Sequence, residues 1–308
     1  MDDLRILTGK VCDVARTAGR FLKEECKSFR REAVEEKHAH DYVSYVDKES
    51  EKRVVAALGA LLPEAGFIVE EGSAVYRDEP YCWVVDPLDG TTNYIHGNAP
   101  YCVSIALRNK HELLLGVVYD PCLDECFYAW KGGGAYLNGQ SLQVSSVRSM
   151  EASFVVTELP YNSEQYARTG EYLIRELYGR VAGIRMNGSA AIALCYVAAG
   201  RFDAWLEAFL GKWDFSAAAL IVQEAGGRVT DFYGNAGFID GHHVVHLNPY
   251  ARHISANVVS GGSRCLSDKK SRRWHVPKEI FPKTYAPPDC PHEDDTPYGA
   301  DSYYTSGK

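Results

Sequence analysis

The chain has 308 residues, 46% of them hydrophobic and 24% charged, with a formal net charge of -8 at pH 7. That mixture suits a globular protein with a substantial core, in one large domain or two smaller ones, and the interspersed acids and bases disfavour a nucleic-acid footprint. The nine cysteines are scattered, odd in number and without a secretory signal before them, so they are read as free thiols of a cytoplasmic protein, and no apolar run reaches the ~18 residues of a membrane span.

In chain order, Leu4, Leu7, Val11, Val14, Ala18, Phe21 and Leu22 recur at helical spacing and predict an amphipathic helix of about six turns. Asp47 is expected to cap a second helix over "KESEKRVVAALGALLP", stopped by Pro63. Two apolar runs then lead into acids: "GFIVEE" into Glu70 and Glu71, and "YCWVVD" into Asp86. "YCVSIALRN", "ELLLGVVYD" and "ECFYAW" read as successive strands of an antiparallel sheet, and Asn138-Gly139 has the chemistry of a tight hairpin turn. Beyond residue 145 the alternation changes. Strand "SFVVTEL", a helix near 163–178, helix "SAAIALCYVAAG", strand "FDAWLEA" and a helix from Trp213 to Glu224 predict a second α/β unit. The expected organisation is an N-terminal α+β half over 1–144, a C-terminal α/β half over 145–263, and a polar, flexible tail over 264–308.

The stretch "WVVDPLDGTTNYIHG", residues 83–97, carries the chemistry. A buried strand delivers Asp86 to its end, Pro87 favours extended geometry there, and Gly90 lets the chain bend so that Asp86 and Asp89 converge. Paired carboxylates on a stiff turn, with neither His nor Cys in it, suit a hard divalent cation such as Mg²⁺ rather than zinc. Thr91-Thr92-Asn93 reads as a helix start, whose N-H groups favour a phosphate. An acidic turn without function remains the plain alternative for "DPLDG", residues 86–90, taken alone.

Taken together, "EEG" at 70–72, "WVVDPLDGTTNYIHG", "NGSAAIAL" at 187–194 and "WDFSAAALIVQEAGG" at 213–227 resemble the inositol monophosphatase family, over roughly residues 1–263. The resemblance implies a layered αβαβα sandwich, an α+β fold shared with fructose-1,6-bisphosphatase. It implies a phosphomonoesterase hydrolysing inositol monophosphate by metal-activated water, with two or three Mg²⁺ per site, lithium sensitivity, a homodimer, and a small-molecule substrate without nucleic-acid or membrane partners. By the same resemblance Glu70, Asp86, Asp89, Asp214 and the Leu88 carbonyl are metal ligands, Asp47 and Thr91 are catalytic, and Gly90 and Thr91 bind phosphate. Asp89, Gly188, Ser189, Ala190 and Glu207 would contact the substrate alcohol.

Each role has an ordinary counterpart: helix capping for Asp47 and Asp214, a solvated strand end for Glu207, close helix packing for "GSAA". The segment "TELPYNSEQ" at 157–165 departs from the small-residue loop expected near the polyol, which leaves the alcohol open. Fructose-1,6-bisphosphatase and 3'(2'),5'-bisphosphate nucleotidase activities are the enzymatic alternatives; a regulatory binding protein of the same fold is the alternative of another class. His242 and His246 in "HHVVH" lack the glutamate of a zinc-protease motif, "KGGGAYLNG" lacks a Walker lysine, and Cys122 and Cys126 have no second pair beside them. All three are read as structural.

Overall fold

The computed structural model describes residues 2–30, 34–38, 41–159, 163–232 and 243–247. The expected tail, and His242, lie outside them.

The chain opens with α1, Asp2–Cys26, whose Val11, Cys12, Ala15, Ala18 and Leu22 form one buried stripe. A short antiparallel hairpin follows, β1 at Val34–His38 and β2 at Asp41–Ser44. Helix α2, Tyr45–Leu61, begins at Ser44, whose hydroxyl accepts from the Val46 N-H. The expectation that Asp47 is the N-cap is therefore corrected. Asp47 stands three residues inside, where its carboxylate accepts from the Ser44 N-H at 2.9 Å, as the reciprocal half of a capping box.

A seven-stranded sheet comes next: β3 at Ala65–Val69, β4 at Tyr81–Asp89, β5 at Cys102–Asn109, β6 at Leu113–Asp120, β7 at Glu125–Trp130, β8 at Ala135–Leu137 and β9 at Gln140–Ser141. Only the β3–β4 pair is parallel. The five-residue helix α3, Thr91–Ile95, follows β4 directly. Asn138 and Gly139, both at positive φ, make the β8–β9 turn as their chemistry requires.

The second sheet has strand order β11-β10-β12-β14-β13, with β10 at Phe154–Thr157, β11 at Gly183–Arg185, β12 at Ala204–Ala208, β13 at Arg228–Thr230 and β14 at His243–Leu247. Three helices accompany it: α4 at Ser163–Leu177, α5 at Ala190–Ala198 and α6 at Lys212–Glu224. His246 lies in β14, so the last four residues of "HHVVH" belong to a strand.

Packing stacks these elements in five layers. Helices α1 and α2 cover one face of the first sheet. Helices α5 and α6 fill the space between the sheets, and α4 closes the outer face of the second through Tyr166, Tyr172, Leu173 and Leu177. This is the αβαβα sandwich. The middle layer explains an otherwise odd composition, because a helix packed on both sides must be apolar all round. Residues Phe215 to Val222 of α6 are buried without exception, and small side chains there let the sheet approach.

Gly116 on β6 marks the closest approach: a Cβ there would collide with the Ala217 carbonyl, which is backbone and cannot rotate away. Gly116→Ala should therefore destabilise the fold by about 1–3 kcal/mol, read as a lower urea midpoint. Gly9→Ala on α1, where nothing lies within 4 Å, should instead stabilise by up to about 1 kcal/mol. Equal effects of the two would refute this account of the packing.

Candidate active site

Strand β4 brings Asp86 and Asp89 to its C-terminal end, with a register irregularity between them against β5. Extended pairing resumes at Asp89, so the two carboxylates stand on either side of a local bulge. Asp86 is 2% exposed, and its Oδ1 accepts the Leu88 N-H at 2.9 Å. Burial, then the charges of Glu70, Asp89 and Asp214, push its carboxyl well above the ordinary range. Four acids from three parts of the sequence therefore share one electrostatic neighbourhood: Glu70 just past β3, Asp86 and Asp89 on β4, and Asp214 in the first turn of α6.

Asp89 is also held above its usual range, by burial, but its oxygens are better provided for. Its Oδ2 accepts from Ser189 Oγ at 2.7 Å and from the Ala191 N-H at 2.8 Å, its Oδ1 from the Ala190 N-H at 3.3 Å, and Cys102 Sγ adds a weak donor at 3.6 Å. Asp89 thus sits on the N-terminus of α5, where partial positive charge favours it. This places Ser189 and Ala190 beside the acidic turn, while Asp214 turns an oxygen toward the Gly211 N-H at 2.7 Å.

The pair Asp47 and Thr91 also comes together, although 44 residues separate them. Thr91 Oγ1 lies 3.2 Å from Asp47 Oδ1 and 3.0 Å from the Leu88 carbonyl. The hydroxyl has one proton for these two acceptors. Asp47 is 1% exposed, and its Oδ2 accepts both the N-H and the hydroxyl of Ser44.

Gly90 joins the acidic turn to α3 at φ 93°, and a Cβ there would lie 2.9 Å from the Pro100 carbonyl and 3.1 Å from that of Gly188. Only glycine fits. Gly188, at φ 72°, faces the Asn93 side chain, whose amide donates to the Pro100 and Asn187 carbonyls at 2.8 Å each.

Glu207 ends near the same cluster, and its Oε2 is buried without a hydrogen-bond partner. Burial, followed by the charges of Glu158, Asp214 and Asp89, raises its carboxyl well above the ordinary range. Glu158 is the residue that sequence reasoning missed. It accepts the Asn187 and Gly188 N-H groups at 2.6 and 3.0 Å, and burial pushes it up to about 7. Its signal was present, since "SFVVTEL" delivers an acid from an apolar run just as "YCWVVD" does. Glu51 was missed too; buried on α2, it accepts the N-H groups of Glu71 and Ser73 at 2.6 and 2.8 Å and so fixes the segment beside Glu70.

The chemistry of this donor set fits hard divalent cations: several oxygens, no nitrogen or sulfur ligand required, and mutual repulsion that a cation would relieve. Among the described residues, no group of three or more His, Cys, Asp or Glu side chains stands as it would around a metal ion. Also among the described residues, no helix is long and apolar enough to cross a membrane, and seven cysteines are free thiols.

The Inositol monophosphatase family matches residues 3–260. The Nus factor SuhB of Pseudomonas aeruginosa is 44% identical over 239 residues, 76% of this chain and 88% of that protein. An inositol-1-monophosphatase of Mesorhizobium japonicum is 37% identical over 245 residues, 79% of this chain and 91% of that one. The crystal structure of extragenic suppressor protein suhB from Bartonella henselae superposes with a TM-score of 0.78 at 35% identity, covering 83% of this chain and 99% of the other.

The buried acids make a definite statement about pH. A carboxyl whose folded pKa is raised contributes stability that is complete below its unfolded pKa and is lost as pH rises through the folded value, at about 1.4 kcal/mol for each pH unit that separates the two. Glu158, raised from 4.5 to about 7, and Asp86, Asp89 and Glu207, raised likewise, all act in this direction. In EDTA the melting temperature should fall from pH 5 to pH 8. A rise over that window would show that these carboxyls ionise without penalty.

Proposed function

Because the chain belongs to the inositol monophosphatase family, we propose that it is a Mg²⁺-dependent phosphomonoesterase that converts inositol monophosphate to inositol and phosphate. The observation that carries the reading is the environment of Asp86, a buried carboxylate facing three other acids with the Thr91–Asp47 pair alongside. Glu70, Asp86, Asp89, Asp214 and the Leu88 carbonyl would hold two or three Mg²⁺, which when bound supply charge neutralisation and Lewis acidity toward a phosphoryl group.

The chain's own groups divide the remaining work. Asp47 is an acceptor held in place by Ser44, and it takes a proton by way of the Thr91 hydroxyl, whose lone pairs orient the attacking water. Threonine is too weak a base to act alone, so the relay depends on the 3.2 Å contact. Gly90 gives the backbone the positive φ that carries the acidic turn into α3, and the first N-H groups of α3, Thr91 among them, have no intrahelical acceptor and would receive the phosphate. Gly188, Ser189, Ala190 and Glu207 would receive the alcohol, the unpartnered Oε2 of Glu207 answering a hydroxyl. Lithium sensitivity, a homodimer and a cytoplasmic location belong to the same proposal.

A second reading follows from the names of the relatives, since those called Nus factor suggest a regulatory binding role. The two readings separate in a strain lacking this gene: rescue by Asp86→Asn as good as by wild type would favour binding over catalysis.

Phosphate release from D-myo-inositol 1-phosphate should require Mg²⁺ and fall at least ~10³-fold in Asp86→Asn, with LiCl titrated into the same assay. Release unaffected by EDTA or by the substitution would overturn the proposal. Thr91→Val should lower kcat by ~10²–10⁴-fold while Thr91→Ser keeps most of it; similar rates for both would remove the hydroxyl from the mechanism.

A further inference from the structure

The second sheet carries a feature that the metal and phosphate chemistry does not use. Strands β10 and β12 run parallel with Thr157 opposite Leu206, so the next residues, Glu158 just past the end of β10 and Glu207 within β12, come side by side. Two carboxyl groups are thereby set side by side in a buried place. Among the described residues, the charged groups that act on them are acidic: Asp89 on both, and Glu158 and Asp214 on Glu207.

Their hydrogen bonds are unequal. Glu158 Oε1 takes two backbone N-H groups, from Asn187 and Gly188, which favour its ionised form. Glu207 Oε2 has none. Two adjacent buried carboxyls cannot both ionise cheaply, so the pair holds a proton, and Glu158, with its two N-H donors, is the first to take up charge. Gly188 ties this pair to the acidic turn, because its N-H is held by Glu158 while its carbonyl packs against Gly90.

We infer that Glu158 is a specificity-determining residue: beside Glu207 it forms an acidic wall that accepts a neutral, hydroxyl-bearing leaving group and repels one carrying a second phosphate. This rests on the phosphomonoesterase reading of the same site. A hydroxyl can donate to or accept from the Glu207 carboxyl, whatever its protonation. A second phosphate brings negative charge against Glu158 and finds, among the described residues, no cationic side chain acting on the pair.

The test compares D-myo-inositol 1-phosphate with D-myo-inositol 1,4-bisphosphate, by turnover and by calorimetric binding, in wild type, Glu158→Gln and Glu158→Asp. Glutamine keeps an oxygen for the Asn187 and Gly188 N-H groups and loses the charge; aspartate keeps the charge and withdraws the oxygen. The inference expects Glu158→Gln to lower the preference for the monophosphate by about tenfold, through KM and Kd for the bisphosphate, and Glu158→Asp to retain it. A purely structural Glu158 gives the opposite order, with Glu158→Asp the more damaged and the preference unchanged in Glu158→Gln, and that result overturns the inference. Thermal unfolding identifies a variant that fails to fold, and the other then decides: a retained charge must retain the preference, a lost charge must relax it. Wild type that binds the monophosphate selectively without hydrolysing it would sink the enzymatic reading and leave the wall standing. Wild type that turns over or binds both compounds equally removes the wall whatever the chemistry.

Discussion

A carboxylate taken out of water needs donors, a proton or a cation, and the arrangement of this molecule depends on how it meets that need with its own backbone. Asp47 takes the Ser44 N-H, Glu51 those of Glu71 and Ser73, Asp89 those of Ala190 and Ala191, Glu158 those of Asn187 and Gly188, and Asp214 that of Gly211. Hydrogen bonds to ionised groups contribute about 1.5–3 kcal/mol each. More to the point, most of these join segments that are remote in sequence. Glu51 fixes the turn after β3 to α2, Asp89 fixes the end of β4 to the start of α5, and Glu158 fixes the second sheet to the loop before α5. The acids that look like chemistry are also the joints of the scaffold.

Against that background the poorly served acids stand out. Asp86 has a single backbone donor, from Leu88, against the charges of Glu70, Asp89 and Asp214, and the Oε2 of Glu207 has no donor at all. Among the described residues, a fold that satisfies so many buried carboxylates leaves these two the less well served. Asp86 calls for positive charge, and Glu207 for a hydroxyl. A phosphorylated alcohol held by cations answers both, one end at each group, which is why the proposed reaction follows from the distribution of unmet demand better than from any single motif.

Much of this could be read from the sequence because the relevant signals were local. The seven-position apolar stripe of α1, the apolar run into Asp86, and Asn138-Gly139 each declare their structure within a few residues. The αβαβα layering came instead from the family resemblance, since no periodicity reports which faces meet. What escaped was non-local or too short. Strands β11 and β13 have three residues each and gain their pairing only from neighbours distant in sequence. The charged run "VEEKH" conceals β1, which pairs only with β2. Asp47 was misplaced by three positions because Ser44 and Asp47 are both good capping residues, and only the backbone decides which is outside the helix. Glu158 was passed over because an acid at a strand end is usually solvated; its burial depends on the loop from Asn187, 29 residues away.

Gly188 gathers these threads into one peptide. Its N-H belongs to Glu158, its carbonyl to the packing of Gly90, and its α-carbon to a space bounded by the Asn93 amide, which itself ties α3 to the Asn187 and Pro100 carbonyls. Both glycines stand at positive φ, and a Cβ would meet the Gly188 carbonyl from Gly90 and the Asn93 side chain from Gly188. Close approach of two backbones there sets the distance between the acidic turn, where the phosphate would sit, and the Glu158–Glu207 pair, where the alcohol would end. Interiors packed to this density do not deform gradually, so that spacing would act as a ruler for the proposed substrate. Chemistry and selectivity are then coupled through a single rigid contact rather than through the side chains that perform them.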